Sequence, residues 1–477
     1  MTEDPVSYTI ATEVPASYME KLLDFIHKKY LLPQKQRFMN FSRETTESGT
    51  FLSYVVLDSQ GKQLLQVEVK GTKPIEVKII LLDEQVSDTA IEEAKQDVVI
   101  AVQMFEEKAR KTTLYFAWRE GEDIVPEEFK MQEKPLNRLF LETQILLFIV
   151  FITLGMVLFY FLDWLTPIAL MVIQFVIVLF SSKIIARAAN WRITEKNPYI
   201  HLLQYHLPIS ENEQFKETYS REKLNALKEE IYKEVIEKKG EINCEDAGKV
   251  FEKYGVACQP ENLVAKKVNV YALVKKIADR FGYPVPKIVI SNNILPNAAT
   301  SGPSPSRGIV LITTGLFVQL EEDEILSVLG HEFGHLKGRD PLILFALTAG
   351  EFLFRFYVLF PIFPFIFSSF LFFIYFWAVM VVIFFIAKFF EARADLVSAI
   401  MIGQPKVLAG ALEKIGFQRL LYERTPSFRV QEWVGLDPHP PIYFRVSRLE
   451  KLKAPVKVKH PLIQSIKDVT SGFIESL

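Results

Sequence analysis

The sequence predicts an α-helical, multi-pass membrane protein with four transmembrane helices and a soluble α+β domain ahead of them. Three observations predict it. Residues 139–182 contain neither Lys nor Arg and are almost wholly apolar. A second apolar run, 341–387, has Arg355 as its only basic residue. The first 138 residues instead alternate strand-like and helix-like patterns, as a water-soluble module does. Composition agrees, with 49% hydrophobic residues and 39 Phe against 5 Trp. A net charge of −2, from 55 basic and 57 acidic residues, gives no basic excess and argues against a nucleic-acid binder.

Taken in order, residues 1–138 hold three runs rich in Val, Ile, Leu and Tyr, at 51–58, 63–70 and 75–82. The turn-forming stretches SQGK and GTKP separate them, so an antiparallel meander is expected. A helix is expected from Ser87 to Arg110, with Ile91, Ala94, Val98, Ala101, Val102 and Phe105 on one face; residues 113–118 suit a further strand. The opening MTEDPVSYTI is acidic and polar, so no cleavable signal peptide is expected and the internal spans should direct insertion.

Each apolar run is long enough for two crossings of about 20 residues. Asp163, Trp164, Thr166 and Pro167 interrupt the first, giving a hairpin over 139–187 with spans near 143–163 and 166–183. Pro361 and Pro364 interrupt the second, giving spans near 341–360 and 364–387. Glu351 and Arg355, one turn apart within a span, should pair with each other. Lys134, Arg138, Lys183, Arg187, Arg192, Lys337, Arg339, Lys388 and Arg393 flank the spans, and both hairpin tips lack basic residues. Positive charge is retained on the cytoplasmic side, so both termini and the central region should face the cytoplasm of a cell membrane.

Between the hairpins, 188–263 reads as a charged helical insertion, including YSREKLNALKEEIYKEVIEKKG. Its two cysteines, Cys244 and Cys258, read as free thiols, with a disulfide across that short segment as the alternative. From 264 to 340 the pattern tightens. A helix ends near Gly282, strand KIVIS (287–291) follows, then loop LPNAATSG (295–302), strand GIVLITTG (308–315) and a helix with Glu322 and Asp323 in its first turn.

That last helix carries His331-Glu332-Phe333-Gly334-His335. Residues four apart share a helix face, so the two imidazoles can offer nitrogens to one metal ion, and Glu332 is placed to act on a water there. A catalytic zinc site needs a third protein ligand. Glu391, in FFEARAD just after the last span, is the candidate; Asp395, one turn on, can orient a ligating histidine.

The order TTGL, LEEDEILSVLGHEFGHLKGRDP, two spans, FFEARADLVSAI and DPHPPIYFRVSRLEKL resembles the HtpX-type membrane zinc metallopeptidases, relatives of the CAAX prenyl endopeptidases. The resemblance covers about 139–187 and 264–455. It implies a gluzincin-like peptidase domain split between 264–340 and 388–477, with Zn2+ held by His331, His335 and Glu391. Glu332 would be the general base. The resemblance further assigns Asn297 to substrate binding beside the cleft, and His439 and Arg445 to substrate or the developing oxyanion. The implied activity is endopeptidase cleavage of misfolded membrane proteins at the cytoplasmic face. The strand GIVLITTG next to the cleft is expected to pair with an extended substrate. Its partners would be peptide substrates and the lipid bilayer. The alternatives are a prenyl-protein processing enzyme and a zinc-binding scaffold without activity.

Overall fold

The computed structural model describes residues 5–46, 49–83, 86–121, 144–207, 221–238, 240–367, 370–424 and 426–477. Lys134, Arg138 and the start of the first expected span lie outside the described residues, as does part of the charged stretch after 207. The chain forms two compact units. The first comprises Met1–Glu127, Tyr199–Val268 and Glu413–Leu421; the second comprises Glu128–Pro198, Asn269–Leu412 and Tyr422–Leu477.

In the first unit the expected meander is present as β3 (Gly49–Leu57), β4 (Gln63–Lys70) and β5 (Ile75–Leu81), joined antiparallel. Two strands unmarked in the sequence, β1 (Val6–Ile10) and β2 (Phe38–Thr46), close its edges in the order β1-β5-β4-β3-β2. Helix α1 (Asp88–Arg110) begins where expected, its Ser87 side chain accepting from the Ala90 amide. It buries Ala94, Val98, Ala101, Val102 and Phe105.

Strand β6 (Thr113–Trp118) does not return to the meander. It pairs with β8 (Tyr199–His206) in a separate sheet with β9 (Leu263–Asn269). All six β6 residues are buried, because helix Arg221–Ile231 and its continuation place Leu227, Ile231, Val235 and Ile236 against Leu114, Phe116 and Trp118. The charged stretch therefore holds more than solvated helix: an apolar stripe at helical spacing runs through its Glu and Lys residues. The free-thiol expectation is corrected here, since Cys244 and Cys258 are joined in a disulfide. Tyr205 brings that segment home, donating to the Ala257 carbonyl and accepting from the Gln259 amide.

Among the described residues, the second unit contains three stretches long and apolar enough to cross a membrane: Thr153–Arg187, Asp340–Ile362 and Leu371–Ile402. The first belongs to two helices, α2 (Gln144–Leu162) and α3 (Thr166–Ala188), separated by a tight turn at Asp163–Leu165 in which Asp163 has φ +44°. Directly after α3 the chain adds β7 (Trp191–Ile193) to a sheet with β10 (Lys287–Ser291), β11 (Ala298–Ser301) and β12 (Ile309–Thr313), in the order β11-β12-β10-β7. The loop expected at 295–302 thus contains an edge strand. Helix α4 (Val270–Phe281) ends at Gly282, which takes the left-handed conformation that terminates helices.

Helix α5 (Glu322–Gly338) starts from a capping box between Glu321 and Glu324 and ends at Arg339, also left-handed. Arg339 redirects the chain into α6 (Asp340–Phe354), which extends as far as Ile362. The long helix α7 (Leu371–Ile402) then returns. Its first half exposes Phe373, Trp377 and Val382, whereas Lys388, Glu391, Asp395 and Ser398 in its second half are buried. Glu351 and Arg355 pair at 3.0 Å as expected, and the Tyr375 hydroxyl of α7 donates to the other Glu351 oxygen at 2.8 Å.

Candidate metal centre

The site forms where α5 crosses α7. Gly334, inside the His-Glu-Phe-Gly-His run, makes the crossing close: a Cβ there would lie 3.0 Å from Ala394 Cα. One turn earlier, Gly330 meets Ser398 and Ile402 in the same way. The two glycines thus form a smooth strip on α5 that lets α7 bring Glu391 up to the histidines.

His331 Nε2 and His335 Nε2 are 3.1 Å apart. Glu391 places Oε2 at 3.4 Å from the first and Oε1 at 3.3 Å from the second. A tetrahedral ion with ligands at about 2.0–2.1 Å separates neighbouring ligand atoms by about 3.3 Å, close to the spacing of the two nitrogens and of each nitrogen from its nearer Glu391 oxygen. Glu391 Oε2 is buried and has no hydrogen-bond donor of its own, which leaves a carboxylate oxygen aimed at the common point. His331, His335 and Glu391 can hold a metal ion.

Each histidine is fixed from behind. His331 Nδ1 lies 2.8 Å from Asp395 Oδ1, and Asp395 is clasped on both oxygens by Arg445, at 2.8 and 2.6 Å. His335 Nδ1 lies 2.8 Å from Asp340 Oδ2, which also accepts from Arg393 at 2.5 Å. Burial by itself would lower the His331 pKa, but the adjoining Asp395 and Glu391 carboxylates outweigh it and hold the value at about 10. Arg445 is fully enclosed, and although burial opposes its charge, Asp395 keeps its pKa above the ordinary guanidinium range. The interior of the site is built to hold positive charge.

Glu332 is buried beside His331, and Thr300 of β11 donates its hydroxyl at 3.1 Å to both the Glu332 carbonyl and Oε2. His439 is 45% exposed, its Nε2 3.6 Å from Glu391 Oε2 and its Nδ1 2.8 Å from Asp437. Lys388 fixes that loop by donating to the Asp437 carbonyl. Asn297 is exposed, and its recorded contacts are backbone ones: its amide donates to Thr313 Oγ1 and its carbonyl accepts from the Thr313 amide. Both guanidinium contacts recorded for Arg445 are spent on Asp395. Asp340, Arg393, Thr300 and Asp437 were missed from the sequence. Asp340 had a signal, standing two residues past Gly338, where a helix that ends must turn.

One sequence reading is overturned. GIVLITTG cannot pair with a substrate, because β12 already lies between β11 and β10. The edge strand of that sheet beside Glu332 is β11.

Residues 265–453 match the family model described as Peptidase family M48. The chain is 33% identical over 212 residues to a Protease HtpX homolog of Desulforapulum autotrophicum, spanning 38% of this chain and 68% of that one. It is 29% identical over 229 residues to the Protease HtpX homolog of Gemmatimonas aurantiaca, spanning 39% and 76%. A shorter match, 39% over 79 residues, is to the homolog of Thermodesulfovibrio yellowstonii and spans 17% of this chain and 28% of that relative. With the close crossing of α5 and α7 and the three converging ligand atoms, this places the chain: it belongs to the HtpX-type proteases of peptidase family M48.

Proposed function

We propose that this protein is a zinc-dependent endopeptidase that cleaves damaged or misfolded membrane proteins at the cytoplasmic face of a cell membrane. The observation that carries the reading is the 3.1–3.4 Å convergence of His331 Nε2, His335 Nε2 and the Glu391 carboxylate next to Glu332. His331, His335 and Glu391 are the proposed ligands. A zinc ion among them would make water acidic enough to attack near neutral pH and would polarise the scissile carbonyl.

The chain's own residues supply the rest. Glu332, held by Thr300, takes a proton from the attacking water as its oxygen bonds to the carbonyl carbon, and returns that proton to the nitrogen as the C–N bond breaks. Substrate is proposed to lie extended along β11, adding a strand to the sheet edge through main-chain hydrogen bonds. Such recognition tolerates many side chains, which suits a quality-control enzyme. His439, half-exposed beside Glu391, is proposed to meet the substrate and Asn297 to flank it. Arg445 is a positioning residue that holds Asp395 against His331.

A membrane setting is supported by the helices themselves. The hairpin α2–α3 and the pair α6–α7 are read as four spans, with the basic residues around them facing the cytoplasm. Ser301 of β11 bonds Ser181 of α3 at 2.8 Å, so the proposed substrate strand is stitched to a span.

The test is a pair of substitutions on purified protein, scored for bound metal and for cleavage of casein and of a destabilised membrane protein. Glu332→Ala should keep its metal and lose activity by a factor of about 10³ or more. His331→Ala should lose both. Undiminished cleavage by Glu332→Ala would remove the mechanism.

A further inference from the structure

Helix α10 (Pro461–Ser476) carries more apolar surface than the described protein covers. Ser465 and Val469 are fully buried, with Val469 packed in a cluster containing Ala392 and Trp433. At 100° per residue, the sector beside this buried one holds Leu462, Phe473 and Ile466, followed by Ile463 and Ile474. Four of these face outward, with Leu462 36%, Ile466 39%, Ile463 54% and Ile474 63% exposed, while Phe473 is half-buried against Phe385 and Trp433. The polar Gln464, Lys467 and Asp468 occupy the remaining sector.

The direction of α10 says what lies over that face. Arg448 donates to the Ala392 carbonyl and to Ser465 Oγ, tying the first half of α10 to α7 near the metal ligands. Phe473, two turns later, meets Phe385 edge to face with ring centroids 5.4 Å apart. Phe385 lies toward the apolar half of α7, one turn from Val382, which is 56% exposed. So α10 descends alongside α7, and its unpartnered apolar face is continuous with the exposed flank of the span. The ten residues before it, 451–460, include Lys451, Lys453, Lys457 and Lys459, all exposed, and no acid.

We propose that α10 is seated in the membrane interface, with Ile463, Ile466 and Ile474 in the acyl region and the preceding lysines among anionic headgroups. The occupant of the open face is the lipid bilayer. This rests on the membrane-spanning reading of α6–α7 and extends it to a helix too short to cross. Seated so, α10 braces the half of α7 that carries Glu391 against the membrane surface.

The test uses the whole protein in nanodiscs containing phosphatidylglycerol. Cys244 and Cys258 are joined to each other, so an environment-sensitive maleimide dye reports on one introduced cysteine at a time. Variants Ile474→Cys, Ile466→Cys, Gln464→Cys and Phe373→Cys, each retaining parental casein cleavage, are compared with and without brominated acyl chains. Dye at 474 and 466 should be quenched about two-fold or more, as at 373, while dye at 464 stays bright. Quenching at 373 with none at 474 or 466 overturns the proposal and leaves the spans standing. No quenching at 373 overturns the spanning reading and this proposal together. Oxidative cross-linking between two Ile474→Cys chains without lipid quenching would assign the face to a second copy instead.

Discussion

The two histidines of the site have the same chemistry but are held in unequal ways. Behind His331, Asp395 uses both oxygens: Oδ1 faces the imidazole and takes one Arg445 nitrogen, and Oδ2 takes another. Behind His335, Asp340 does all its work through Oδ2, shared between the imidazole and Arg393, while Oδ1 has no hydrogen-bond partner. The first support spans three separate elements, α5, α7 and α9 (Ile442–Glu450). The second is mostly local, since Asp340 follows His335 by five residues across the Arg339 turn. One imidazole's orientation is therefore a property of the folded unit, and the other's is largely a property of a helix end.

The largest effect is expected at the tertiary support. Arg445→Ala leaves a fully buried Asp395 carboxylate without its guanidinium, and breaking a buried pair on one side costs about 3–5 kcal/mol. Metal affinity should fall by a factor of about 10–100, as when a ligand's outer partner is lost. Chemical denaturation and chelator competition measure the two effects. Arg445→Lys should restore little, because a single ammonium cannot clasp both oxygens. If Arg445→Ala keeps parental stability and metal affinity, the tertiary support does not matter.

The local support should respond less. Arg393→Ala removes one bond from Asp340, but the carboxylate remains at the first turn of α6, where the helix N-terminus already favours negative charge. A loss of about 1–2 kcal/mol and a metal affinity lowered by about ten-fold or less are expected. The comparison breaks if Arg393→Ala proves as damaging as Arg445→Ala under the same assays.

How much of this was readable from the chain follows the same division. The His331–His335 spacing, Glu332 and the apolar runs are local patterns, and a helix's period is enough to interpret them. Glu391 and Asp395 needed an element 56 or more residues away to return, and a span boundary hinted at it. Asp340 sat in plain view as the acid after a helix stop. Arg393 and Lys388 were hidden because basic residues at a span's end look like flanking charge; the structure spends Lys388 on the Asp437 carbonyl and Arg393 on Asp340. Strand β11 was invisible for another reason: Ala-Ala-Thr-Ser has one β-branched residue and no aromatic, too little to announce a strand. The second sheet of the first unit joins β6 to residues more than 80 positions later, a pairing that no local pattern specifies.

Thr300 offers the finest division, because its hydroxyl bonds Glu332 and neither histidine nor either support. Its hydroxyl holds Glu332 from the sheet side, at 3.1 Å to the carbonyl and to Oε2. Thr300→Val keeps the shape and removes the donor, so metal content and stability should stay close to parental. Turnover should fall by a factor of about 5–10, the equivalent of one hydrogen bond of about 1–1.5 kcal/mol, with Thr300→Ser recovering most of it. A variant that loses metal instead would mean that β11 braces the ligand helix, and that the proposed base has no positioning group of its own. Loss of turnover at full metal occupancy separates holding the ion from aiming the proton acceptor, which both histidine supports leave entangled.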